Sequence, residues 1–139
     1  MTTPERSPRK PVIVRPAQGR RYDMGPMRAI FLADGAETAA RYSISEWWLE
    51  PRTRGPGVHE HPDDHIFYVL AGTVSLMIDG GWTDATRGCV ALIPGGTPHD
   101  FENRGDVECG FLNVNTPGGF EDAMPAIVAW FVEKPLGRL

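Results

Sequence analysis

The sequence predicts an antiparallel all-β domain, a sandwich or barrel, closed by one C-terminal helix. Three observations predict it. Short runs rich in β-branched and aromatic residues recur about every ten positions, the spacing of a sheet folded back on itself. Gly, Pro and Asp separate the runs, and 16 glycines with 13 prolines among 139 residues supply many turns. Apolar residues at helical spacing are missing until residue 119.

The elements follow in order. Residues 1–27 form a basic, partly disordered arm. Residues 1–28 carry seven basic groups against Glu5 and Asp23, while the remainder carries seven basic and sixteen acidic groups within a net charge of -4. Pro4, Pro8 and Pro11 interrupt the arm, and the acidic body would repel phosphate, so a solvated tail is expected and nucleic acid is not. The barrel is assigned to residues 28–118, with strands at Arg28 to Ala33, Arg41 to Glu50, His65 to Leu70, Thr73 to Asp79, Trp82 to Thr86, Cys89 to Ile93 and Val107 to Asn115. In the fourth of these Val74, Leu76 and Ile78 share one face, the period of two that marks a buried sheet surface. Residues 119–139 form a C-terminal helix and tail, on which Phe120, Met124, Ile127, Val128 and Phe131 recur at helical spacing up to Glu133.

Other classes drop out. No apolar run approaches the ~20 residues of a membrane span, and the N-terminal residues lack the apolar stretch of a secretory signal, so a cytoplasmic protein without membrane association is expected. Cys89 and Cys109 lack CxxC spacing and are both read as core thiols.

The chemistry concentrates in four histidines. His59, His61 and His65 fall within seven residues, and His99 follows the turn Pro94 to Pro98. In an extended segment residues i and i+2 face the same way, so His59 and His61 project together, as two ligands of one ion require. His65 has the same parity, although Pro62-Asp63-Asp64 permits a bend before it. Neutral imidazole binds divalent first-row metals through one nitrogen while a nearby acceptor fixes the other, and Glu60, Asp63 and Asp64 are at hand.

These residues resemble the two conserved motifs of the cupin superfamily. His59, His61, a three-residue gap to His65 and six further residues to Gly72 follow the first motif, with its leading glycine displaced to Gly55 or Gly57. Gly88, Pro94, Gly96, His99 and Asn103 follow the second in full. The resemblance spans residues 28–115 and implies a double-stranded β-barrel, or jelly roll, with the C-terminal helix beside it. It also implies a small-molecule substrate or ligand, a homodimer and one divalent metal per chain. Where most cupins place a glutamate ligand this chain has His65, so the implied ligand set is four imidazoles: His59, His61, His65 and His99. Neutral ligands leave the ion its full charge and raise its Lewis acidity, but remove a base. Iron, manganese, zinc, nickel and copper all suit such a set.

Further candidates come from the strands. Trp47 and Trp48 lie on opposite faces, so one of them is expected at the pocket, and Phe67 and Val69 share the face of His65 and are expected in its apolar wall. Glu46, Asp64 and Glu102 are candidate acid or base groups beyond the ligands. The resemblance implies a metal-dependent, dioxygenase-like enzyme acting on a small aromatic or enolisable compound. A non-redox zinc isomerase or polyketide-cyclase-like enzyme, and a metal-dependent sensor or binding protein without turnover, stay open beside it.

Overall fold

The computed structural model describes residues 9–139; residues 1–8, the outer part of the expected arm, lie outside the described residues. Among the described residues nine strands form two sheets. They are β1 (Arg20–Met24), β2 (Met27–Ala33), β3 (Ser43–Leu49), β4 (Asp64–Ala71), β5 (Thr73–Ile78), β6 (Gly81–Thr86), β7 (Val90–Ile93), β8 (His99–Glu102) and β9 (Cys109–Thr116). One sheet has the order β1-β2-β3-β9-β4-β7 and the other β6-β5-β8. Every pairing is antiparallel.

Alternation decides the inner face. In β3 Ser43, Ser45, Trp47 and Leu49 are buried while Ile44, Glu46 and Trp48 are less so, and β2 repeats the pattern. The inward side chains of the two sheets meet in one core containing Phe31, Leu49, Val69, Val74 and Phe111. A short helix α1 (Gly35–Thr38) follows β2. At the C-terminus a 3-10 turn (Phe120–Ala123) leads into helix α2 (Met124–Glu133).

The structure corrects three expectations. The sheet begins at Arg20, so the stretch assigned to the arm includes strand β1, which pairs with β2 across the Gly25-Pro26 turn. Its charged side chains sit on a sheet edge, where Arg21 and Asp23 stay solvated and Arg20 finds acidic partners, and so it has the composition of a tail. The expected helix from Gly119 is divided, because Pro125 lacks an N–H and sits in the first turn of α2, leaving 120–123 to close as a tighter turn. Cys89 is exposed, at the turn between β6 and β7. Cys109 is buried, and desolvation pushes its thiol up to about 12, which makes it inert.

Strand β8 lay outside the expected elements. Its sequence His99-Asp100-Phe101-Glu102 shows no apolar alternation, yet all four residues are buried. Asp100 is satisfied there: its Oδ1 accepts the backbone N–H of Phe101 at 2.8 Å and of Gly57 at 3.2 Å. The second bond ties the loop before His59 to β8. Gly55 lies so close to this strand that a Cβ added there would stand 1.6 Å from the Phe101 carbonyl oxygen.

Candidate metal centre

Two local devices bring the histidines together. His59 and His99 form an antiparallel bridge, with His59 N–H donating to the His99 carbonyl at 3.0 Å and His99 N–H to the His59 carbonyl at 2.9 Å. Main-chain pairing therefore sets their rings side by side, 4.4 Å between centroids. The His61 carbonyl accepts the Gly96 N–H at 2.7 Å, fixing the His61–Asp63 bend to the turn before β8. Gly95 makes that contact possible, since a Cβ there would lie 2.2 Å from the Pro62 carbonyl oxygen. His65 is the second residue of β4, opposite Ile93 of β7 and Asn115 of β9.

The four rings cluster, with centroids separated by 5.0 Å for His59 and His61, 4.9 Å for His61 and His65, and 5.4 Å for His65 and His99. Their potential ligand atoms resolve into two overlapping triads, His59-His61-His99 and His61-Asp63-His65, each with all atoms within 4.8 Å. His61 belongs to both. This differs from the single four-imidazole set that the sequence implies: His65 groups with a carboxylate that the candidate acids did not include.

Hydrogen bonds prepare the donors. His59 Nδ1–H donates to the Gly57 carbonyl at 2.7 Å and His99 Nδ1–H to the Thr97 carbonyl at 2.8 Å, each leaving Nε2 as a bare lone pair. Burial also favours the neutral ring. Desolvation lowers the proton affinity of His59, His65 and His99, and pushes His61 down to about 4 with help from His65 and His59 beside it. Neutral, convergent imidazoles with fixed tautomers are the form a divalent transition metal requires.

A stability profile follows from these shifts. In the unfolded chain each imidazole protonates near pH 6.5, whereas folded His61 does so near 4. Between these values the unfolded state binds more protons, so the metal-free protein loses stability as pH falls from about 6.5 toward 4 and is unaffected by this group above about 7. Urea unfolding of chelator-treated protein at pH 8, 7, 6 and 5 measures it. A midpoint unchanged between pH 7 and 5 would show the rings to be solvated.

The histidines line a cavity of about 550 Å³, within the range of small-molecule sites. Its wall is apolar. Trp47, Phe67, Phe101 and Phe111 form the inner part, while Phe120, Ile127, Trp130 and Phe131 from the C-terminal segment face them. Phe120 lies closest to the rings, 5.5 Å from His61 and 6.2 Å from His65 between centroids.

Of the sequence-derived pocket residues, Trp47 and Phe67 lie on this wall. Trp48 does not; it points outward from β3, under the Arg28 guanidinium at 5.4 Å and against Gly110. Val69 is 1% exposed, two residues further along β4 than Phe67, and packs in the core instead of the wall. The three candidate acids also sit elsewhere. Glu46 accepts the Trp48 indole N–H at 3.0 Å on the outer face, Asp64 caps the Gly95 N–H at 2.8 Å, and Glu102 pairs with Arg104. Strand parity turns each of them away from the rings. The polar residues that do reach His65 are Asp63, Asn113 and Asn115. Asn113 and Asn115 share the inward parity of Phe111 on β9, and two amides alternating into an apolar face were the available signal.

Comparison with known proteins agrees with this architecture. Residues 45–115 match the Cupin domain family. The quercetin 2,3-dioxygenase of Bacillus subtilis is 33% identical over 94 residues, covering 66% of this chain. The match spans only 27% of that longer protein. Among solved structures, KdgF from a Halomonas species superimposes with a TM-score of 0.71 at 14% identity, covering 81% of this chain and 99% of the other. The polyketide cyclase RemF from Streptomyces resistomycificus superimposes with a TM-score of 0.67 at 23% identity, covering 77% and 80%. The two-sheet barrel, the histidines on its inner surface and a family match over half the sequence lead to one conclusion: the chain belongs to the cupin family.

Proposed function

We propose that this cupin is a mononuclear metal-dependent oxygenase acting on a small aromatic or enolisable compound. The observation that carries the reading is the junction of two surfaces in one cavity: imidazole nitrogens held neutral and convergent, and an aromatic wall directly beside them. His59, His61 and His99 would hold the ion, with His65 completing the set. A bound redox-active metal would supply Lewis acidity to the substrate oxygen and a site for O₂. The protein's own work is positioning. Phe67, Phe101 and Phe120 offer ring faces and edges to a flat substrate, and the C-terminal segment covers part of the apolar end of the cavity. The likeness to a quercetin 2,3-dioxygenase supports the same class of substrate.

Metal analysis followed by oxygen-uptake assays on a panel of flavonols, β-diketones and catechols tests the reading. The expected result is about one iron, manganese, nickel or copper ion per chain and uptake with at least one class of compound. Stoichiometric zinc without oxygen consumption would replace the oxygenase by a non-redox isomerase or cyclase. Metal uptake without turnover would leave a binding protein. Pairing into a homodimer is supported by the exposed apolar side chains Ile66, Tyr68, Val90 and Leu92 on the outer face of β4 and β7.

A further inference from the structure

His65 occupies the position at which the cupin pattern has a carboxylate, yet a carboxylate is still present. Asp63 lies two residues earlier, on the bend anchored to Gly96, with its side chain 16% exposed and Oδ2 3.3 Å from His65 Nε2. Asn115 Nδ2 donates to the same oxygen at 2.7 Å. Among the described residues no Lys or Arg forms an ion pair with Asp63; its one ion-pair partner is His65.

The direction of the hydrogen bonds determines what this contact is. A carboxylate only accepts, so the Asn115 amide must turn its NH₂ toward Asp63, leaving Asn115 Oδ1 to accept from Asn113 Nδ2 at 2.8 Å. Asn113 Oδ1 is then the acceptor facing His65 Nδ1 at 3.1 Å, so that nitrogen carries the hydrogen. Flipping either amide would place two acceptors or two donors against each other. The chain Asp63-Asn115-Asn113-His65 therefore sets the His65 tautomer and leaves Nε2 as a lone pair. In the neutral ring that lone pair faces the Asp63 oxygen, 3.3 Å away, with His61 also in reach; Asn115 Nδ2 lies beside the ring, 3.1 Å from Nε2 and 3.2 Å from Nδ1, and donates to Asp63. Three electron-rich atoms converging within 4.8 Å have the spacing that ligands of one cation need.

We propose that Asp63 is itself a ligand of the metal, returning to the centre the negative charge lost where His65 stands in place of a carboxylate. This rests on the reading that the histidine cluster holds a divalent ion. Asp63, His61 and His65 then act together, and the two asparagines hold both the carboxylate and the imidazole in their ligating orientation. The centre has one anionic ligand, so its Lewis acidity is lower than that of an all-imidazole set.

Cobalt(II) is the probe, because its visible absorption reports ligand number and type. Wild-type protein should take up one cobalt per chain, and Asp63→Asn should alter the visible bands and weaken cobalt binding at least about tenfold in chelator competition, with Asp63→Glu restoring part of the affinity. Infrared spectra of wild-type protein labelled with ¹³C at the aspartate carboxyl should show a carboxylate band that shifts on zinc addition, a readout independent of how any variant folds. Wild type that binds no cobalt would overturn both this inference and the metal reading. Normal cobalt binding with unchanged bands and affinity in Asp63→Asn would overturn this inference alone and assign the contact to a protonated His65 paired with Asp63. An infrared spectrum insensitive to zinc would do the same.

Discussion

His61→Ala and His99→Ala each reduce bound divalent metal from about one ion per chain to less than about a tenth, after purification and dialysis without added metal. His61 is the sharper case, because both triads share it and its removal leaves neither complete. His99 acts differently. Its main chain positions His59, and alanine keeps that bridge while deleting one donor, so the loss of metal in His99→Ala isolates the imidazole from the fold. Metal content by mass spectrometry and thermal unfolding with and without added ion check both variants. At ion concentrations a hundredfold above Kd, wild type gains about 2.7 kcal/mol, on the order of 10 °C in Tm for a domain of this size, and the variants gain almost none. Full metal content in both variants would make the four histidines ordinary core residues.

Asp34→Ala destabilises the protein by about 3 kcal/mol or more and loosens the cavity roof. Asp34 is 2% exposed, and its two carboxylate oxygens accept the backbone N–H groups of Gly119 and Glu121, each at 2.6 Å. Hydrogen bonds to a charged group contribute about 1.5–3 kcal/mol each, and alanine would leave both donors without a partner. Phe120 lies between them in sequence. Its ring stacks on Phe31 at 6.1 Å and stands over the histidines, so the roof depends on where this backbone is held. A second clamp adjoins it: Arg20 binds Glu121 at 2.7 Å and Glu37 at 2.6 Å, and Tyr22 donates to Glu121 at 2.8 Å. Burial raises the Glu121 pKa, but the bonds from Arg20 and Tyr22 outweigh it and hold the carboxyl below its ordinary value. Urea unfolding should show the lowered stability, and amide exchange should accelerate at residues 119–123 while the β4 and β9 amides stay protected. Exchange accelerated equally throughout the sheet would show that Asp34 supports the whole barrel and not the roof.

Alternation and turn chemistry carried most of the barrel in the sequence. Strands β2 to β5 and β9 bury large apolar residues, and the turns between the strands are rich in Gly and Pro. What escaped were elements stabilised by pairing rather than by their own composition. Strand β1 resembles a charged tail because an edge strand solvates one side, and β8 resembles a loop because Asp100 and Glu102 are satisfied by partners distant in sequence or provided by turns. The site divides in the same manner. Histidine spacing identified the imidazoles, while parity could not distinguish Phe67, at the cavity, from Val69, one repeat deeper in the core. Nor could it foresee that Asp63, on a bend, would turn inward while Asp64 next to it capped a turn. Bends break the period of two, and only the three-dimensional pairing of Asn115 with Asp63 restores the information.

The clamp that holds Phe120 also makes the cavity wall depend on segments far apart in sequence. The histidines lie between residues 59 and 99: His59 and His61 on the loop between β3 and β4, His65 on β4 paired with β9, and His99 on β8 paired with β5. The roof comes later in the chain and is fastened by Arg20, Tyr22 and Asp34 from its beginning. The wall nearest the imidazoles is thus supplied by a segment held by side chains as far as 101 residues away in sequence, so the cavity gains its apolar side only when those distant segments dock.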